Sequence, residues 1–219
     1  MNIKAAIFDM DGTLINSLIY WDLLWADLGG IYLNNPDFRP TKEDDKAVRT
    51  STMKDAMYMI HEHYGIGKDG QEVLDFANRK LRTFYAEEVE LKPGVLEFLE
   101  HCYQNGTKMC VASATATDLL YVAMEHCGIA KYFPKVFSCG DLGVGKDQPD
   151  VYLLAQKYLG SESDETWLFE DSLVAIETAT KLGFHRVAIY DKFNFGQEQM
   201  KAIADYYIAE GDSLVSLLK

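Results

Sequence analysis

No stretch of this 219-residue chain approaches the ~20 consecutive apolar residues of a helical membrane span. Its start, Met1-Asn2-Ile3-Lys4, lacks the apolar run and cleavage site of a secretory signal, so a cytoplasmic location is expected. Cysteine is scarce: Cys102, Cys110, Cys127 and Cys139 include no C-x-x-C pair, and no Cys/His cluster has zinc-ligand spacing. Free thiols in a reducing compartment are therefore expected. Basic residues are also few, 21 against 34 acidic, for a net charge of −13. That balance repels phosphate at long range and argues against non-specific nucleic-acid binding or docking on anionic lipid. There is no internal repeat, no low-complexity tract and no full G-x-G-x-x-G fingerprint; Gly143 and Gly145 match only a fragment of one. His61 and His63, two positions apart, do not share a helix face, and His101, His126 and His185 have no partner spacing and are expected at the surface.

What is present is an ordinary globular composition, 48% hydrophobic and 25% charged, with enough apolar residues for a sizeable core. At about 150 residues per domain, the length suggests one full domain and a smaller one. Short apolar runs recur at Ala5-Ala6-Ile7-Phe8, Met109-Cys110-Val111-Ala112, Val136-Phe137-Ser138, Thr166-Trp167-Leu168-Phe169, Val187-Ala188-Ile189-Tyr190 and Tyr206-Tyr207-Ile208-Ala209. Helical stripes lie between them: Val95, Phe98, Leu99 and Cys102; Leu119, Val122 and Ala123; Val151, Leu154, Ala155 and Tyr158. This alternation predicts an α/β fold, a Rossmann-like parallel sheet with helices on both faces. Residues 16–89 break the rhythm. Their stripes are helical only (Tyr20, Trp21, Leu24, Trp25, Leu28; Met53, Met57, Ile60, Tyr64; Val73, Leu74, Ala77, Leu81, Phe84), with a loop expected over 34–45. An all-α unit of residues 16–89, inserted into an α/β core of 1–15 and 90–219, is expected over the carboxyl end of the sheet.

Ligands of open α/β sheets bind beyond the carboxyl ends of the strands. The residues expected there are Asp9, Asp11, Gly12 and Thr13 after the first strand, and Ser113-Ala114-Thr115 after the second. Lys146 follows in a Gly-rich loop, and Glu170-Asp171-Ser172 come after the strand around Leu168. Crowded carboxylates raise one another's pKa unless a cation sits among them, and hard oxygen ligands suit Mg²⁺. One carboxylate can attack phosphorus, a second can protonate the leaving oxygen, and Ser113 with Lys146 can hold phosphate oxygens.

Asp9-Met10-Asp11-Gly12-Thr13 resembles the first motif of the haloacid-dehalogenase-like phosphatases, and the other three motifs follow in family order: Ser113, Lys146 in Lys-x-x-Pro-Asp, and Glu170-Asp171-Ser172. The resemblance covers the whole chain, with 16–89 in the place of the family's helical cap. It implies a Mg²⁺-dependent phosphatase acting on a small phosphate monoester. Asp9 would be the nucleophile, forming an aspartyl-phosphate, and Asp11 the general acid/base. Mg²⁺ would lie on the Asp9 side chain, the Asp11 backbone carbonyl and Asp171, with Glu170 ligating directly or through water. Gly12, Thr13, Ser113, Ala114 and Lys146 would bind the phosphoryl group. Two departures stand out. Asn16 and Ser17 follow the first motif where many relatives have an Asp, and the stretch from Val48 to Lys54 has no Gly where the cap usually carries one. Arg49 or Lys54 there is a candidate for reaching a second anionic group of the substrate. A sugar-phosphate mutase resembling β-phosphoglucomutase and a non-catalytic phosphate-ligand binding protein are the alternative readings. A monomer or weak dimer is expected.

Overall fold

Ala5-Ala6-Ile7-Phe8 offers no polar face to water, and a strand apolar on both sides is stable only in the middle of a covered sheet. In the computed structural model, which describes residues 3–218, these four residues are β1, at most 1% exposed. The chain runs β1 (Ala5–Phe8), α1 (Tyr20–Tyr32), α2 (Lys42–Thr50), α3 (Met53–Tyr64), α4 (Gly70–Glu87), α5 (Val95–Gln104), β2 (Lys108–Ser113), α6 (Thr117–His126), β3 (Val136–Ser138), α7 (Cys139–Leu142), α8 (Asp150–Leu159), β4 (Thr166–Glu170), α9 (Leu173–Leu182), β5 (His185–Ile189), α10 (Gln197–Ile203) and β6 (Tyr206–Ile208). The six strands form one parallel sheet in the order β3-β2-β1-β4-β5-β6, with Phe8 opposite Val111 of β2 and Phe169 of β4. This is the expected α/β architecture. No helix among the described residues is long and apolar enough to cross a membrane.

Successive side chains of β1 serve opposite faces. Ile7 joins Cys110, Ala112 and Leu168 under α8 and α9, while Phe8 stacks on Phe169 at 4.4 Å and meets Phe133 edge-on at 5.7 Å. Burying Ile7 or Phe8 contributes about 1.5–3 kcal/mol each. The four cysteines are free thiols, three of them buried.

The helical stripes over α6 and α8 sit about one residue from where the sequence places them. Leu120, Ala123 and Met124 are buried on α6, and Val151, Tyr152, Ala155 and Leu159 on α8, whereas Leu154 and Tyr158 are 40% and 47% exposed. Val151-Tyr152-Leu153-Leu154-Ala155 is apolar nearly all round, so several stripes share helical spacing, and the sheet under α8 selects one of them. His185 is only partly exposed. It stacks on Trp167 at 4.4 Å.

The chain divides into two compact units, one of residues 1–18 and 89–219 and one of 19–88. The first contains the whole sheet. Within it, the segments that leave for and return from residues 19–88 run side by side: Asn16 N–H donates to Glu90 O at 2.8 Å, and Lys92 N–H to Leu14 O at 2.9 Å. The second unit is all helical. It holds four helices rather than the three that the apolar stripes mark. α2 begins inside the expected loop, at Lys42, because Thr41 caps it by accepting a hydrogen bond from Asp44 N–H at 3.2 Å, with three acids in the first turn. α3 and α4 pack on each other, and Tyr20 Oη of α1 donates to Ala77 O of α4 at 2.6 Å.

Candidate active site

β1 lies between β2 and β4, and from it the chain builds the sheet outward in both directions. The crevice at such a switch point, beyond the carboxyl ends of the strands, is where a ligand finds several loops at once. Asp9 follows β1 directly, Ser113 ends β2, Glu170 ends β4 and Asp171 follows it. The structure brings Asp9, Glu170 and Asp171 together. Each carboxylate offers an oxygen within 4.8 Å of the other two, and all three are buried.

Lys146 pairs with two of them. Its Nζ lies 2.7 Å from Asp9 Oδ1 and donates to Glu170 Oε1, whose other oxygen accepts Ser172 N–H at 2.7 Å. The loop that carries Lys146 is pinned to α9 by Thr178 Oγ1, which donates to Lys146 O at 2.9 Å. One ammonium cannot neutralise three carboxylates. Burial pushes the Asp9 carboxyl up to about 7, against the pull of Lys146 and with help from the charges of Glu170 and Asp11. Burial, then Glu170 and Asp9, holds Asp171 well above the carboxylate range. For Lys146, the two carboxylates outweigh the opposing effect of burial and hold its pKa well up. A buried, all-oxygen donor set with an excess of negative charge fits a hard divalent cation.

The loop after β1 wraps tightly. Leu14 and Ile15 N–H both donate to Met10 O, and Gly12 has φ +76°, a conformation that Gly adopts at little cost. A Cβ at Gly12 would also overlap the Asp171 carboxylate, with Cγ only 2.8 Å away. Thr13 Oγ1 donates to Asp171 Oδ1 at 3.1 Å. Asp11, half-buried, is held on both carboxylate oxygens: Ser17 Oγ donates to Oδ1 at 2.7 Å and Thr115 Oγ1 to Oδ2 at 2.8 Å. Ser113 is buried, its Oγ accepting Thr115 N–H at 3.3 Å, and Ala114 is exposed at the turn.

In the helical unit, Arg49 forms a two-pronged pair with Asp45, Nε to Oδ2 at 2.8 Å and a terminal nitrogen to Oδ1 at 3.2 Å. Lys54 is exposed, with Nζ 5.8 Å from the Tyr58 ring centroid. His61 and His63 bond separately, to Ile66 O and Asp44.

Several residues at the site have a holding role that no local sequence signal marks, even where, as for Thr115, their place at a strand end is expected. Ser17 and Thr115 fix Asp11, and Asn194 Nδ2 donates to Asp171 O at 3.1 Å and to its Oδ2. Tyr152 is fully buried on α8, near enough for the charges of Glu170 and Lys146 to act on it, and burial holds its phenol pKa well up. Its hydroxyl has no hydrogen-bond partner among the described residues. Tyr152→Phe is therefore expected to raise stability by about 1 kcal/mol, since it removes an unsatisfied buried group while keeping the ring. Urea unfolding measures this, and a loss of stability would mean that the hydroxyl is satisfied.

The model of the family "Haloacid dehalogenase-like hydrolase" matches residues 6–189, most of the chain. Protein CbbY of Rhodobacter capsulatus is 25% identical over 210 residues, 90% of each chain. Hexitol phosphatase B of Escherichia coli is 29% identical over 171 residues, 78% of this chain and 76% of that one. Among solved structures, one described as "putative beta-phosphoglucomutase from Thermotoga maritima" superposes with a TM-score of 0.82 at 21% identity, covering 99% of each chain, a likeness of fold. With its four motifs gathered on a parallel sheet of this topology, the chain belongs to the haloacid dehalogenase-like hydrolase family.

Proposed function

We propose that the protein is a phosphatase that hydrolyses a small phosphate monoester, such as a sugar phosphate, through a covalent aspartyl-phosphate at Asp9. The observation that carries this reading is the buried trio of Asp9, Glu170 and Asp171 with Lys146 between two of them. The phosphatase name of a relative that covers most of the chain supports it. Asp9 and Asp171, with Glu170 and the backbone carbonyl of Asp11, would hold Mg²⁺. Bound there, the ion would offset the negative charge that gathers when a phosphate enters.

In the first step an Asp9 carboxylate oxygen attacks phosphorus. The bond from phosphorus to the ester oxygen breaks, and the departing alkoxide takes a proton from Asp11. In the second step Asp11 takes a proton from water as its oxygen attacks phosphorus, which releases inorganic phosphate and restores the Asp9 carboxylate. Asp11 suits both steps because the hydroxyls of Ser17 and Thr115 each hold one of its carboxylate oxygens and fix its direction. Lys146, with Ser113 and the backbone of Gly12, Thr13 and Ala114, would bind the oxygens of the transferring group. Their role is positioning and electrostatic stabilisation.

A phosphate-ester panel with Mg²⁺ or with chelator tests the reading. It should include p-nitrophenyl phosphate, hexitol phosphates and glucose 1-phosphate. Free phosphate is expected with Mg²⁺ and none with chelator. Conversion of glucose 1-phosphate to the 6-phosphate without release of phosphate would replace hydrolysis by mutase chemistry. Binding without turnover of any ester would leave a phosphate-ligand binding protein.

A further inference from the structure

The geometry points to Asn194 as a positioning residue for Asp171, and to the loop of residues 191–196, anchored by the part-buried Lys92–Asp191 pair, as the device that holds it in place. This inference rests on the proposed metal-binding role of Asp171. Asp171 is gripped by neutral donors on both carboxylate oxygens: Thr13 Oγ1 on Oδ1 at 3.1 Å and Asn194 Nδ2 on Oδ2. The same Asn194 nitrogen also reaches Asp171 O at 3.1 Å. Both of its partners are acceptors, so the amide must present its NH₂ group to them. A neutral donor on each oxygen fixes the torsion of the carboxylate and leaves its full charge for a cation. Lys146 acts differently on Asp9 and Glu170, where it brings a charge of its own.

Asn194 is in turn held by its loop. Its N–H donates to Asp191 O at 3.1 Å, and its backbone carbonyl accepts Gln197 Nε2 at 3.2 Å. Gln197 Nε2 also donates to Asp191 O at 2.9 Å, and Gln197 Oε1 accepts Tyr207 Oη at 3.0 Å. Asp191, 4% exposed, accepts Phe193 N–H on Oδ1 at 2.9 Å and pairs through Oδ2 with Lys92 Nζ at 2.8 Å; Lys92 also donates to Tyr190 O at 2.9 Å. A chain of directional bonds thus runs from the segment before α5, through the loop after β5, to a carboxylate beside β4. Partners of this kind set the direction of metal ligands, and losing one typically costs 10–100-fold in metal affinity.

The test titrates Mg²⁺ alone against the melting temperature of the full-length protein, for wild type, Asn194→Ala and Asn194→Ser, with kcat and KM for p-nitrophenyl phosphate as a second readout. Asn194→Ala is expected to raise the Mg²⁺ concentration at half-shift by about 10-fold or more. It should also lower kcat at limiting Mg²⁺ with recovery at high Mg²⁺, and leave the KM for ester little changed. Asn194→Ser keeps a shorter donor and is expected to fall between, which preserves the test should the alanine variant not fold. A lowered metal-free melting temperature with an unchanged Mg²⁺ midpoint would overturn the inference and leave Asn194 a structural residue. A wild-type melting temperature indifferent to Mg²⁺ would instead overturn the metal-binding reading and this inference with it.

Discussion

Asp9→Asn is expected to cut turnover of any phosphate ester by at least about 10³-fold while leaving the fold intact. The amide keeps the shape of the carboxylate, including its place between β1 and the site, where Asp9 N–H donates to Phe169 O at 3.0 Å. It lacks the lone-pair basicity to attack phosphorus, so the proposed covalent intermediate would not form. The change should also stabilise the metal-free protein near pH 8. Burial has pushed the carboxyl up to about 7, so the ionised group is held there at a net cost, which a neutral isostere avoids despite losing the Lys146 pair. Steady-state kinetics and thermal unfolding in chelator measure the two effects. Residual turnover within 10-fold of wild type would remove Asp9 from the proposed role of nucleophile.

The second large effect is on stability against pH. Between about pH 4 and pH 7, Asp9 is ionised in the unfolded chain but protonated in the folded one, so the folded state binds more protons and stability falls as pH rises through that window. Asp171, also raised, acts with the same sign. The carboxyls of Asp44, Glu100 and Glu165 are held low by their hydrogen bonds, so their contribution is lost only in acid, below the window. In chelator, the free energy of unfolding is therefore expected to fall from pH 5 to pH 8, by an amount on the order of a few kcal/mol, and the melting temperature to fall with it. Mg²⁺ should flatten the curve, because a cation among the carboxylates favours their ionised forms. A chelator curve that stays level or rises across this range would mean that the three carboxylates are not crowded in solution as they are here.

Parts of this architecture were legible along the chain because the physics behind them is local. A strand buried on both faces must be a short apolar run, so β1, β3 and β4 lie within a residue of the runs that announce them. α2 was not legible as a helix from apolar spacing. Lys42-Glu43-Asp44-Asp45-Lys46 has almost no apolar face, and only the cap at Thr41 and the acidic first turn mark it. The stripes on α6 and α8 were legible as helices but not as faces, since the sheet beneath chooses among several apolar stripes.

For the site, the sequence alone determined which carboxylates and which lysine follow the strands, because in a parallel sheet every strand's carboxyl end lies at the same edge. It left open how those groups are held. Thr13 reaches Asp171 across 158 positions, Thr115 reaches Asp11 across 104, and Asn194 closes on Asp171 from the far side of α9. Hydrogen bonds between separate loops leave no period in the sequence. Only the tertiary structure, by setting β1 between β2 and β4 and β5 beside β4, decided which neutral donors orient the carboxylates and how deeply the charge is buried.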